Sequence, residues 1–242
     1  DASLNPQDYP LTVWLGISGL DLAPEAAQNI HLPLSNRNLN EMTTVIMTGT
    51  TALVRHTAEQ MELQGITYPA EGIAADLLAA DLTHISNEAP FYSQCPPALP
   101  YRTQARFCSS PRYMQLLEYI DVDLVELTGN HLMDWGPEAF LESLQLYAAQ
   151  GISTYGGGAD QTAAQKPFLF EHHGNRLAFI GCNAAGPETD FATPTSPGAL
   201  RCDNAWLADE IAALKAAGYL PVVTFQHYEV EDNRAPSALR TD

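Results

Sequence analysis

The chain has 242 residues, 45% hydrophobic and 17% charged, a composition typical of a globular domain that excludes collagenous and disordered proteins. Its 29 acidic side chains outnumber 11 lysines and arginines, so the formal net charge of −18 argues against a nucleic acid as the main partner. No apolar run reaches the roughly 18 residues that a membrane-spanning helix needs.

Residues 1–42 differ from the rest, because one short apolar run at 11–17 is followed by sequence rich in Asn and Pro. We predict that they form an N-terminal segment or the remnant of a preceding element. In residues 43–242, short β-branched runs alternate with segments of helical periodicity, which predicts one α/β domain. No signal core opens the chain at Asp1, so we expect any export signal to lie outside this sequence.

Apolar runs predict seven strands, at 44–48, 82–86, 122–128, 152–155, 168–172, 176–182 and 220–226. Helical periodicity predicts four helices, at 71–80, 111–120, 137–150 and 204–217, the last with Asp203 as its cap. A His-Gly-Asn turn between two alternating runs predicts a hairpin and therefore mixed sheets. The chain ends at Asp242, shortly after the last strand, so we expect the domain to be incomplete at its C-terminal end.

Four cysteines flank two long loops. Cys95 and Cys108 bracket a proline-rich loop, and Cys182 and Cys202 bracket a loop rich in Gly, Pro and Thr. A disulfide that closes a loop of about 15 residues stabilises a fold by roughly 3 kcal/mol. We predict two disulfides and hence an oxidising compartment, the alternative being four buried free thiols.

Polar residues follow four of the predicted strands, at 48–51, 86–88, 128–134 and 226–231. Functional groups in α/β sheets lie beyond the carboxyl ends of strands, so we expect these loops to form one site. Their Glu, Asn and His side chains are donors suited to Mn, Fe, Zn or Mg, and a bound metal of this kind activates water. Neutral His131 or His227 would bind metal, whereas a protonated histidine would act as a general acid.

Each of these residues also has a structural interpretation. Asn130 and His131 are compatible with a simple strand-to-helix turn, and Glu88 and His227 with solvated surface groups. The glycine run at 156–158 matches neither common phosphate-binding motif, so we predict a tight turn there. No Gly-x-Ser-x-Gly element is present, which disfavours a serine hydrolase.

Six stretches follow one another along the chain in the order of a known family's motifs: VIMTGTTALVR, HISNEAPF, VELTGNHLMDWG, GISTYGGGAD, RLAFIGCN and VVTFQHYEVE. This order resembles the bacterial capsule-synthesis proteins of the poly-γ-glutamate type (CapA/PgsA), within the calcineurin-like metallophosphoesterase superfamily. The most specific stretch, 127–136, is similar to the family's Asn-Asn-His-x-x-Asp-Tyr-Gly element. The resemblance covers about residues 43–242. It implies a four-layer α/β/β/α sandwich with mixed sheets and a divalent metal, Mn, Fe or Zn, at the strand ends.

The resemblance also implies roles for individual residues. The implied metal ligands are Glu88, Asn130 and His227. The implied catalytic pair is His131, as the acid, and Asp134, which orients it. The substrate contacts that we assign are Thr50, Asn87 and Glu231.

Three departures from the family pattern affect the metal site. The family's first motif has a metal-binding Asp where this chain has Thr50, and the family's His-Trp-Gly is His-Tyr-Glu at 227–229. The family's later Gly-His-x-His element is absent from the sequence. A complete two-metal site therefore cannot be assembled from these residues.

We weigh three functions. The first is an extracytoplasmic, metal-dependent hydrolase of capsule or cell-envelope synthesis. The second is a degenerate member that binds an anionic polymer or a capsule-synthesis membrane protein, and the third is a small-ligand binding domain. A net charge of −18 disfavours tight binding of a polyanion unless a cation intervenes.

Overall fold

The structure is a computed structural model that describes residues 38–98 and 105–227. The predicted N-terminal segment 1–42 lies almost entirely outside the described residues, and so does Glu231. Within the described ranges, no helix is long and apolar enough to cross a membrane.

The first sheet has four strands in the order β1-β2-β3-β4. They are β1 Val45–Thr51, β2 Leu82–Asn87, β3 Leu124–Glu126 and β4 Ser153–Tyr155. All three pairings are parallel, so the carboxyl ends of the strands meet at one edge of the sheet. The register places Thr50 beside Ser86, and Ser86 beside Glu126.

The second sheet has three strands in the order β6-β7-β9. They are β6 Phe168–His172, β7 Asn175–Asn183 and β9 Leu220–Gln226. The predicted hairpin is confirmed, since β6 and β7 pair antiparallel around His173 and Gly174, whose φ angles of 50° and 80° suit a tight hairpin turn. Strand β9 runs parallel to β7, so mixed pairing is found in this sheet, whereas the first sheet is entirely parallel.

The glycine run predicted as a tight turn instead contains a strand. Here β5 Gly157–Gly158 pairs antiparallel with β8 Gly198–Ala199. A Cβ atom on Gly157 would lie 2.5 Å from the carbonyl oxygen of Leu127, so a side chain does not fit there. The prediction was wrong because close backbone packing and a turn both select glycine.

The helices are α1 Arg55–Gln64, α2 Ala74–Leu77, α3 Met114–Tyr119, α4 Gly136–Ala149, α5 Gln161–Gln165 and α6 Asn204–Ala216. Asp203 caps α6 as predicted, accepting hydrogen bonds from the backbone N–H groups of Ala205 and Trp206. Helix α2 covers only part of the predicted 71–80. Helix α1 was missed because only two of its residues, Ala58 and Met61, are buried. Two apolar positions are too few to give a clear helical period in the sequence.

Buried side chains define four layers. Helices α1 to α4 pack on one face of the first sheet, against residues that include Ile85 and Val125. Between the two sheets, Leu82 and Leu124 pack with Phe179. Helix α6 covers the far face of the second sheet. This order of helix, sheet, sheet and helix confirms the predicted α/β/β/α sandwich.

Both predicted disulfides are present, and the alternative of four free thiols is therefore wrong. Cys95 bonds to Cys108, and Cys182 bonds to Cys202. The first bond joins the two ends of the loop 95–108. The second ties the end of β7 to the segment that precedes α6.

Candidate functional site

Side chains from three strand ends meet at one point. Gln226 Nε2 donates to Asn130 Oδ1 at 3.0 Å and lies 3.4 Å from Glu88 Oε1. Glu88 directly follows β2, Asn130 lies in the loop after β3, and Gln226 is the last residue of β9. The structure thus brings loops of both sheets together at the edge where the strands end.

A glycine allows the two loops of the first sheet to come this close. A Cβ atom on Gly129 would lie 2.7 Å from Glu88 Cα and 3.1 Å from its Cγ. Such a contact would force the backbone of one loop to move. Gly129 therefore controls the distance between the Glu88 carboxylate and the amide group of Asn130.

His131 and Asp134 form a hydrogen-bonded pair beside this point, with Nδ1 and Oδ2 2.9 Å apart. A carboxylate only accepts, so Nδ1 carries the proton and Nε2 is left for a reacting group. The Asp134 hydrogen bond raises the pKa of His131 above 6.5, burial opposes this, and the charges of Asp134, Glu88 and Asp190 add to the increase. The contribution of the raised His131 pKa to folding stability is complete below the unfolded-state pKa of 6.5. It is lost as the pH rises through the pKa of His131 in the folded state.

Arg106 and Phe107, which do not belong to a strand end, hold Asp134 in place. The Phe107 N–H donates to Asp134 Oδ2 at 2.6 Å, and Arg106 Nε donates to the backbone oxygen of Asp134 at 2.6 Å. The Phe107 ring also packs edge-to-face on His131, with centroids 4.6 Å apart. Sequence reasoning missed this contribution, since nothing in the local pattern connects Phe107 to the strand ends.

Asp190 is a second residue that sequence reasoning missed. It is only 2% exposed, and its Oδ2 atom has no hydrogen-bond partner among the described residues. Burial raises the pKa of Asp190 to about 6, with a further increase from the charge of Asp134, while Thr189 and His131 lower it. The loop between β7 and α6 brings this carboxylate close enough to His131 and Asp134 to interact with their charges. Its sequence, rich in Gly, Pro and Thr, carries no signal for such burial.

Two of the assigned substrate contacts can be located. Asn87 is 1% exposed, and its Nδ2 donates to Tyr147 Oη at 2.6 Å and to the Ala89 carbonyl at 2.8 Å. It holds β2 against α4, and the structure does not present it to a substrate. Thr50 is exposed near the end of β1, and Glu231 lies outside the described residues.

The side chains at this point are of types that bind divalent cations in proteins. The carboxylate of Glu88 and the amide oxygen of Asn130 point at the same nitrogen atom, and His227 directly follows Gln226. Oxygen and imidazole donors suit Mn, Fe or Zn. In the part of the chain that the structure describes, no three His, Cys, Asp or Glu side chains converge. At Thr50, where the resemblance implies a metal-binding carboxylate, the chain has only a hydroxyl group.

Comparison with known proteins finds similar solved structures and a matching family. The 5'-nucleotidase precursor from Thermus thermophilus is 14% identical, with a TM-score of 0.45 over 76% of this chain and 37% of that chain. The chain thus spans little more than a third of that protein's length. No curated protein matches the sequence. The family described as bacterial capsule synthesis protein PGA_cap matches residues 44–242. Because this match covers most of the chain, the protein belongs to the PGA_cap family of bacterial capsule synthesis proteins.

Proposed function

We propose that the protein is an extracytoplasmic, metal-dependent hydrolase that acts on a capsule or cell-envelope polymer of the poly-γ-glutamate type. The observation that carries this proposal is the convergence of the Glu88 and Asn130 oxygens on Gln226, beside the His131–Asp134 pair. Membership of the capsule-synthesis family supports the choice of polymer. The two disulfides support an oxidising compartment.

Glu88, Asn130 and His227 would hold the cation, Mn, Fe or Zn. When bound, such a cation polarises the scissile group and lowers the pKa of a water molecule. The Gln226 amide keeps the two oxygens aimed at a common point, and this arrangement is available before a ligand binds. Gly129 maintains their separation.

His131 supplies the general acid in this proposal. Its raised pKa favours the protonated imidazole, whose Nε2–H can donate a proton to the leaving group. Asp134 holds the ring through Nδ1 and is itself fixed by the Phe107 N–H. Asp134 is therefore a positioning residue, and its loss should shift the pH dependence of the reaction.

Elemental analysis of the purified protein tests the metal site. After loading with Mn, Fe or Zn, wild type is expected to hold about one equivalent, and Asn130→Ala much less. Asn204→Ala, at an exposed position on α6, is the matched control and should keep its metal. A parallel screen of p-nitrophenyl phosphoesters and γ-glutamyl p-nitroanilide tests hydrolysis. Equal metal content in wild type and Asn130→Ala would refute the assigned ligands.

A second candidate function is non-catalytic binding of a polymer or of a membrane partner of the synthesis machinery. The observation in its favour is Thr50, which places a hydroxyl group rather than a carboxylate at the end of β1. This function predicts neither bound metal nor hydrolysis, together with retained binding of the polymer. The elemental analysis and the substrate screen therefore separate the two candidates.

A further inference from the structure

A solvent-exposed cavity of about 360 Å³ lies between the start of α1 and the loop closed by the Cys95–Cys108 disulfide. We call it the arginine cavity, because Arg55, Arg106 and Arg112 line it. The described residues contain five arginines and two lysines, so three of these seven cationic side chains lie at one cavity. This concentration of positive charge is unexpected in a chain with a net charge of −18.

Two of these arginines have no carboxylate partner among the residues that the structure describes. Arg112 pairs with Glu62 at 3.1 Å, and the two described arginines outside the cavity pair with Glu171 and Glu188. Arg55 and Arg106 form no ion pair with any described residue. The Arg112–Glu62 pair is neutral, so the cavity retains an excess of two positive charges.

Aromatic rings hold both unpaired guanidinium groups in place. Arg55 lies over the Phe107 ring at 4.5 Å, and Arg106 lies over the Trp135 ring at 4.1 Å. Stacking uses the face of a guanidinium group and leaves its in-plane N–H donors available, apart from Arg106 Nε, which donates to the backbone oxygen of Asp134. Arg55 also has a φ of 48°, a conformation that costs energy in a residue other than glycine and concentrates at functional sites.

The start of α1 adds to the positive potential. This helix has ten residues, and its N-cap residue Val54 makes no side-chain capping bond. Val54 and Arg55 both line the arginine cavity, so the first turn of the helix begins there. Unpaired N–H groups at a helix start favour an anion, which strengthens the effect of the arginines.

The cavity shares a wall with the candidate catalytic pair. Phe107 contacts Arg55 on one side and His131 on the other, with ring centroids 4.6 Å apart in the second contact. Arg106 donates to the backbone oxygen of Asp134. A chain anchored in the cavity would therefore lie beside His131.

We propose that the arginine cavity binds carboxylate groups of an acidic chain through Arg55 and Arg106. Each guanidinium fork matches one carboxylate in a bidentate geometry, and two excess charges suit two neighbouring acidic residues. Local positive charge also explains how a strongly acidic protein can hold an acidic polymer. The identity of the polymer rests on the proposed function, but binding in the cavity requires neither metal nor hydrolysis.

Fluorescence anisotropy with fluorescein-labelled tri-glutamate, in EDTA and at low salt, tests this binding. Wild type is expected to bind the peptide, and a labelled tri-glutamine peptide is expected not to bind. Arg55→Gln and Arg106→Gln should each weaken binding about tenfold, since each removes a charge-assisted hydrogen-bonding group. Arg176→Gln makes the same change in net charge outside the cavity and should change the Kd less than about twofold.

Three outcomes would overturn the proposal. The first is no binding by wild type, and the second is equal weakening by Arg176→Gln. The third is stronger competition by inorganic phosphate than by unlabelled tri-glutamate, which would assign the cavity to phosphate. If Arg106→Gln fails to fold, the exposed Arg55→Gln decides the test. Peptide binding without metal binding would refute only the proposed hydrolase, and the reverse result would refute only the proposed cavity ligand.

Discussion

Replacing Asp190 by Asn should change how the stability of the protein depends on pH. The wild-type carboxyl group is buried, and burial raises its pKa from 3.8 to about 6. The native state therefore keeps a proton between these pH values that the unfolded state has released. Stability falls as pH rises through this window, because the native state must finally hold a buried charge.

The size of the effect follows from the pKa difference. A shift of about two pKa units corresponds to about 3 kcal/mol of native-state destabilisation above pH 6, at 1.36 kcal/mol per unit. Asn has the same shape as Asp and no charge, so Asp190→Asn removes this destabilisation of the native state. Its amide group occupies the place of the unpartnered Oδ2, which costs about 1 kcal/mol. We expect a net gain of about 2 kcal/mol at alkaline pH.

Urea unfolding followed by tryptophan fluorescence, with the disulfides intact, measures this difference. Near pH 8 the variant should be more stable than wild type, and near pH 4 it should be equal or about 1 kcal/mol less stable. Asp209→Asn, at an exposed position of α6, is the matched control and should stay within about 0.5 kcal/mol of wild type. A stability difference between Asp190→Asn and wild type that does not change with pH would refute the reasoning.

Two further changes test the candidate site. Asp134→Asn removes the carboxylate whose hydrogen bond does most to raise the pKa of His131, and whose charge adds to it, so the histidine should lose its proton at lower pH. An NMR titration of the imidazole measures this, and an unchanged midpoint would exclude the assigned role of Asp134. Gly129→Ala places a Cβ atom 2.7 Å from Glu88 Cα and should lower both metal content and thermal stability, the latter by about 1–3 kcal/mol. Gly72→Ala, with nothing within 4 Å of its new Cβ atom, should change neither; equal losses in both variants would contradict the steric argument.

The positions of seven strands and of three helices could be predicted from the sequence, because apolar periodicity is a local property. The hairpin at Gly174 and the cap at Asp203 are equally local, since each depends on a few neighbouring residues. The partners His131 and Asp134 lie three residues apart, so their proximity was also accessible to sequence reasoning. The resemblance to the capsule-synthesis proteins was confirmed by the family match over residues 44–242.

The tertiary structure alone decided which polar residues face the site. Asn87 and Glu88 are adjacent in sequence, yet Asn87 is buried against α4 while Glu88 reaches Gln226. Asp190 and Phe107 enter the site from distant loops, and no local pattern records that approach. Burial, pKa and charge complementarity depend on contacts between residues far apart in the chain, so the raised pKa of Asp190 and the arginine cavity emerge only when the layers pack together.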